Sequence, residues 1–275
     1  MTSKLNVIVI NYRTSDLTIR CVNSIVATGV AKPNQILVVD NCSQDGSLGH
    51  IQKGVPPEVV LIAASRNGGF AAGVNAGFRN ATGRYLLVLN PDTYFEFNSV
   101  STVLGYMEAN EDVGIVGLDL INPDGSRQYS ARRFYSLMDV FARRVKQAGK
   151  MMRRRIDRHL MRSAWIGEHP FEADWVMGTG FVVRRDLYEE LDGMDESYFL
   201  YMEDVDLCAR VWRSGKRVIC YPGAKLVHDH QRSSSAGLLT FAGRTHVKSL
   251  LLFRKRYVLP LMKPPGVQKI LRCKS

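Results

Sequence analysis

Several short polar clusters in this chain carry side chains able to do chemistry. Asn11–Tyr12 follows the apolar run Val7–Ile10, Asp40–Asn41 follows Ile36–Val39, and Asn90-Pro91-Asp92 follows Tyr85–Leu89. Asn67-Gly68-Gly69 opens a fourth, glycine-rich cluster. Asp40 could accept the imide N–H of a uracil or thymine ring, although Asp-Asn is also an ordinary turn former. Asp92 could give oxygen to a divalent cation beside phosphate oxygens. Further on, Glu203, Asp204 and Asp206 stand together after the aromatic-rich Phe199–Met202. Acids in a first helical turn often only match the helix dipole, and the i,i+4 spacing of Asp206 and Arg210 favours a structural pair. The adjacent Glu203 and Asp204 are less ordinary, and one could act as a general base. His228 alone would read as a core or surface histidine. With a carboxylate site already present, it gains weight as a nitrogen ligand.

Elements must bring these residues together. The first 120 residues alternate buried-strand runs with helical patterns, which predicts a largely parallel sheet. Ser15 or Asp16 could cap a helix carrying Leu17, Cys21, Val22 and Ile25 on one face. Val59–Ala63 reads as a weaker strand, and Phe70–Phe78 as a helix opened by Gly68–Gly69. Loops at the carboxyl ends of such strands are where open α/β sheets bind ligands. The glycine-rich cluster is not a dinucleotide fingerprint, which argues against a hydride-transfer cofactor. In the second half, Trp175 begins a turn followed by a strand, and Val218–Tyr221 reads as a strand closed by a Pro-Gly turn.

Composition bounds the answer. The 275 residues suit one α/β domain with a small appendage. The net charge of +11 is concentrated: residues 132–162 and 242–275 each carry +9, and the remainder carries −7. A nucleic-acid binder would be basic more evenly, so nucleic acid is not expected as a partner. Both basic segments mix cations with apolar residues, as a helix lying on an anionic bilayer would. A solvated charged face is the plainer reading. No apolar stretch is long enough to span a membrane. The opening residues lack a signal-peptide pattern, and the five cysteines form no CxxC pair. The expected location is the cytoplasm, with peripheral contact at the inner face of the membrane.

The order Asn-Tyr, Val-Val-Asp-Asn, Asn-Gly-Gly-Phe, Leu-Asn-Pro-Asp, Gly-Thr-Gly-Phe, Glu-Asp-Val-Asp-Leu and Val-His resembles the family 2 nucleotide-sugar glycosyltransferases, in particular their rhamnosyltransferase-like branch. The resemblance implies the GT-A fold, a Rossmann-like, mostly parallel central sheet flanked by helices. It implies a domain over 1–240, with a nucleotide half over about 1–120 and an acceptor half over about 121–240, followed by a basic helical segment over 241–275. It places Asn11, Tyr12, Asp40, Asn67, Gly69, Asn90 and Asp92 at a donor of the dTDP or UDP type. Asp92 is similar to the last carboxylate of the family's metal motif, whose first carboxylate is Asn90 here. His228 is similar to a late metal-binding histidine, with Mg²⁺ or Mn²⁺ as cofactor. Asp204 is similar to the catalytic base, and Glu203 would orient the acceptor or tune Asp204. Trp175, Gly178, Thr179 and Gly180 would shape the pocket for a saccharide or lipid-linked saccharide, glycine letting a bulky sugar approach the backbone. The implied reaction is inverting sugar transfer in cell-surface polysaccharide synthesis. A nucleotidyltransferase would need a basic glycine-rich loop early in the chain, of which Asn11-Tyr12-Arg13 is a poor version. A non-catalytic carbohydrate-binding module would not need Asp92, Asp204 and His228 together.

Overall fold

The computed structural model describes residues 4–142, 150–229, 240–257, 259–261 and 266–270. The first half alternates β1 (Leu5–Asn11), α1 (Ser15–Ala27), β2 (Ile36–Asp40), α2 (Ser47–Gly54), β3 (Val60–Ala63), α3 (Gly69–Phe78) and β4 (Tyr85–Leu89). Then come β5 (Thr93–Tyr94), α4 (Val100–Ala109), β6 (Val113–Ile121), β7 (Ala131–Arg132), α5 (Leu137–Ala142), α6 (Lys150–His159), β8 (Phe171–Glu172) and β9 (Trp175–Val176). The chain continues through β10 (Gly180–Arg184), α7 (Arg185–Glu190), α8 (Glu203–Arg213), β11 (Arg217–His228), α9 (Phe241–Arg256) and α10 (Gly266–Ile270).

A nine-stranded sheet runs in the order β3-β2-β1-β4-β10-β6-β11-β5, with β8 on β11. Its faces explain the continuous apolar runs. Ile8 and Ile10 of β1 enter one core with Val74, Val88 and Phe181, whereas Val7 and Val9 enter another with Val22, Ile25 and Leu87. A strand covered on both sides needs apolar residues at every position.

β5, β8 and β10 run against the other strands of the sheet, and β10 is the informative one. β10 runs antiparallel between β4 and β6, while β6 and β11 are parallel to each other. The start of β10 therefore lies at the same sheet edge as the ends of β1, β2, β4 and β11. Insertion of one reversed strand brings the Gly178–Thr179 turn to the edge that carries Asp40, Asp92 and His228.

Other local readings are revised. Ser15 is already helical; Thr14 precedes α1 without a side-chain cap, and Thr18 rather than Leu17 completes the buried face with Cys21, Val22 and Ile25. Pro222–Gly223 does not end a strand. It sits inside β11, where the register with β6 shifts between Tyr221 and Lys225. β6, buried along its whole length, was not anticipated because Gly114, Gly117 and Asp119 interrupt its apolar pattern. Buried Asp119 accepts from Arg127 Nε and Nη2, each at 3.0 Å. Four described cysteines, Cys21, Cys42, Cys208 and Cys220, are free thiols; Cys273 lies outside the described residues. No helix among the described residues is long and apolar enough to cross a membrane.

Candidate active site

At the ends of β1 and β2 the polar side chains hold one another. Asn11 is fully buried, and its Nδ2 donates to Asp40 Oδ1 at 2.6 Å. Its Oδ1 accepts from Thr14 N and from Thr18 Oγ1 at 2.9 Å, fixing the start of α1. Asp40 also accepts from the Ser43 hydroxyl at 2.5 Å and from Ser43 N at 3.1 Å. Asn11 thus acts through Asp40 rather than toward solvent. Tyr12 is 41% exposed, with the Arg13 guanidinium 5.2 Å from its ring, and is the open surface of this end. Asn41 Nδ2 ties the next loop by donating to Asn67 Oδ1 at 3.0 Å and to Gly69 O at 2.9 Å.

Gly69 links this end to the segment before α8. It has φ +86, and a Cβ there would lie 2.0 Å from Phe199 O. Only glycine fits that left-handed position against the passing carbonyl. Phe70 N donates to the same Phe199 O at 3.2 Å.

Asp92 and His228 come together through a short ladder. Antiparallel β5 and β11 set Thr93 opposite His228, and Asp229 N donates to Asp92 O at 2.9 Å. His228 is 3% exposed, and its Nε2 lies 3.3 Å from Asp92 Oδ2. Gln128 decides the histidine tautomer. Its Nε2 donates to His228 O at 2.8 Å and to Asn122 Oδ1 at 2.6 Å, which leaves Oε1 facing His228 Nδ1 at 2.6 Å. Nδ1 must therefore carry the ring proton, and in the neutral ring Nε2 presents a lone pair toward Asp92. Asp92 Oδ1 is buried without a hydrogen-bond partner among the described residues. With that neutral ring, two acceptors would face each other beside an orphaned carboxylate oxygen, an arrangement that fits a cation. Among the described residues no group of three or more His, Cys, Asp or Glu could hold a metal. The remaining ligands of such a cation would come from substrate oxygens or water. Gln128 was missed in the sequence because nothing in its neighbourhood pairs it with a histidine a hundred residues away.

The carboxylate pair opens α8. Tyr201 and Met202 adopt left-handed φ values of 66° and 72° immediately before it. Such conformations cost free energy and persist only where surrounding contacts impose them. Asp204 Oδ2 accepts from Gly178 N at 2.9 Å, and Oδ1 from Val205 N at 2.8 Å. Burial raises its affinity for a proton, while those two N–H groups and the Arg132 charge oppose the rise. Glu203 is buried, its Oε2 has no hydrogen-bond partner among the described residues, and burial and then the neighbouring Asp204 push it well above the carboxylate range. The two environments place the negative charge of the pair on Asp204. Arg132, 8% exposed and 5.5 Å from the Trp175 ring, went unnoticed within a run of basic residues.

The remaining pocket residues divide. Thr179 O accepts from Asn90 N at 3.0 Å, and Gly178 donates to Asp204, so one turn joins the Asn90–Asp92 loop to the carboxylate pair. Gly178 opens toward Asp204 and Phe70, each 3.4 Å from its absent Cβ. Gly180 serves packing, since a Cβ there would lie 2.4 Å from a Leu226 methyl. Trp175 is 5% exposed and donates its indole N–H to Arg133 O at 3.0 Å, which places it behind the site wall.

Residues 6–191 match the model for glycosyl transferase family 2. The chain is 26% identical over 269 residues to an N-acetylglucosaminyl-diphospho-decaprenol L-rhamnosyltransferase of Mycobacterium tuberculosis, covering 94% of this chain and 86% of that one. It is 27% identical over 228 residues to the rhamnosyltransferase WbbL of Escherichia coli K12, covering 81% and 80%. Among solved structures, GalNAc-T7 with UDP, GalNAc and Mn²⁺ superimposes with a TM-score of 0.62 at 14% identity, over 91% of this chain and 48% of that one. That last likeness is one of fold, the GT-A arrangement.

Proposed function

Since the chain belongs to glycosyl transferase family 2, we propose that it moves a sugar, rhamnose by likeness to its relatives, from a nucleoside diphosphate to a hydroxyl of a saccharide or lipid-linked saccharide. One observation carries the reading: a buried carboxylate pair, an orphaned carboxylate oxygen beside a histidine, and a pre-ordered Asp40 all meet one sheet edge. Residues 1–240 form the catalytic unit of this reading, and 241–275 its basic appendage.

In this reading Asp40 accepts the imide N–H of a uracil or thymine base, and exposed Tyr12 lies against the ring. Asn67 and Gly69 border the donor, and Asn90 and Asp92 its diphosphate. Asp92 and His228 would hold the divalent cation. A bound Mg²⁺ or Mn²⁺ would supply Lewis-acid neutralisation of charge on the departing diphosphate. Asp204 takes the proton from the acceptor hydroxyl at its carboxylate as that oxygen attacks the anomeric carbon. The bond to the nucleoside diphosphate breaks from the opposite face, so configuration inverts and no sugar–enzyme bond is needed. Glu203, held protonated, leaves Asp204 as the ionised partner. The Gly178–Thr179 turn sets the base against the diphosphate loop. A lipid-linked acceptor would keep the enzyme in peripheral contact with an anionic membrane.

The test is release of nucleoside diphosphate from a panel of dTDP- and UDP-sugars, with Mn²⁺ and with excess chelator. Metal-dependent cleavage of one donor supports the reading. Incorporation of a nucleoside monophosphate, or full activity in chelator, contradicts it.

A further inference from the structure

Helix α9 has two dissimilar faces. Its inner face grips the segment that leads into the carboxylate pair. Phe241 meets Phe199 edge-on at 5.8 Å, His246 lies against Tyr201 at 4.8 Å, and Ser249 Oγ donates to Leu200 O at 2.9 Å. At its end Arg256 binds Asp195, and Tyr257 OH donates to Asp206 Oδ1 at 2.9 Å. These contacts support the left-handed Tyr201 and Met202 from outside.

The outer face carries Arg244, Val247, Lys248, Leu251, Arg254 and Lys255, all exposed and recurring at three- and four-residue steps. Val247 is 38% exposed and Leu251 53%. Among the described residues none of these four cations has an ion-pair partner, and no acid occurs after Asp229 in the sequence. The other basic segment is joined to the far end of this helix. Leu137 N and Met138 N, at the start of α5, donate to Pro260 O and Leu261 O at 3.0 and 3.1 Å, and Leu261 is itself 62% exposed. The start of α5 thus meets the chain just beyond α9.

We infer that the outer face of α9, continued by Leu261, seats the protein in the plane of an anionic lipid bilayer. A helix interleaving exposed cations with exposed apolar side chains satisfies both layers of that surface, headgroups and acyl boundary. A second copy of the chain would oppose two faces of one charge sign, which repel. An acidic protein or polynucleotide would match the cations and leave Val247, Leu251 and Leu261 unmatched. α9 lies directly on the segment bearing Asp204. The bilayer is thereby held about one helix diameter, roughly 10–12 Å, from that segment. An acceptor sugar on a diphosphate lipid would reach the base without leaving the membrane. In purpose, though not in its surface argument, this inference rests on the transferase reading above.

The test is sedimentation of the full chain with vesicles of phosphatidylcholine alone and of an equal mixture with phosphatidylglycerol. Anionic vesicles should carry the protein down at low salt and release it at high salt, because exposed charges are screened over about 8–10 Å. Joint replacement Arg244→Gln, Lys248→Gln, Arg254→Gln and Lys255→Gln should weaken partitioning about a thousandfold, with donor cleavage in the absence of vesicles unchanged. Leu251→Glu alone should weaken it too. Amide exchange of the unaltered protein gives a readout independent of variant folding: added anionic vesicles should slow exchange across 241–256. Absence of binding, equal binding by the variants, unprotected α9, or a dimer that the substitutions dissociate would each overturn the inference. Loss of donor cleavage with every nucleotide sugar would remove the transferase reading and leave the vesicle result to stand by itself.

Discussion

The two ends of the functional edge differ in how their polar groups are satisfied. At β1 and β2, Asn11, Asp40 and Ser43 are bonded to one another, so each side chain already has a protein partner. At β4, α8 and β11, Asp92 Oδ1 and Glu203 Oε2 are buried with no hydrogen-bond partner among the described residues. A buried polar atom left unpaired costs about 1–3 kcal/mol, so it persists where something other than folding retains it. The first end is a bonded frame, and the second keeps unmatched polar atoms where the proposed donor and cation would sit.

Substitutions should therefore fail in different ways at the two ends. The largest effect is expected at the metal pair. Asp92→Ala should remove measurable Mn²⁺ binding and weaken the donor with it, whereas His228→Ala removes one neutral ligand and should cost less; titration of Mn²⁺ by its paramagnetic signal checks both. Undiminished Mn²⁺ affinity in Asp92→Ala would break the contrast. Next, Gln128→Ala should lower metal affinity about 10–100-fold, the usual cost of losing a group that orients a ligating histidine. A purely structural Gln128 would lower the melting temperature and leave the affinity alone.

Smaller effects concern protons and stability. The acid limb of kcat/KM should lie above the ordinary aspartate range, since burial raises Asp204 and activity needs its ionised form. For Glu203 the folded carboxyl binds its proton more tightly than the unfolded chain does. Its stabilising contribution is thus present below the unfolded value and is lost as pH rises toward the raised one. Glu203→Gln should match the parent near pH 4 and exceed it near pH 8 by about 1–3 kcal/mol, read from denaturant unfolding at both. At the frame end, Asn11→Ala should instead destabilise by about 1–3 kcal/mol through the orphaned Asp40, with metal affinity retained.

Much of this was legible in the sequence, for reasons specific to each element. β1, β2 and β4 are covered on both faces, so their apolar runs stood out unbroken. The polar residues ending them fell at the edge where parallel strands finish. β10 was read as a strand, but its reversed direction depends on pairing between β4 and β6 and has no local signature. Pro222–Gly223 looked like a stop because a bulge and a turn use the same residues. Arg132 and Gln128 were invisible because their partners are distant in sequence: Asp204 for the one, His228 for the other. Asn11 donates to Asp40 of the adjacent strand, a pairing that neither segment signals by itself.

The account stands most directly on Asp204 as the base. The measurement is donor cleavage and donor affinity for Asp204→Asn beside Glu203→Gln, both with Mn²⁺ present. Asp204→Asn should bind donor as the parent does and lose turnover about 10²–10⁴-fold, while Glu203→Gln keeps most of its turnover. Near-parental turnover in Asp204→Asn with an inactive Glu203→Gln would contradict the assignment and exchange the two roles.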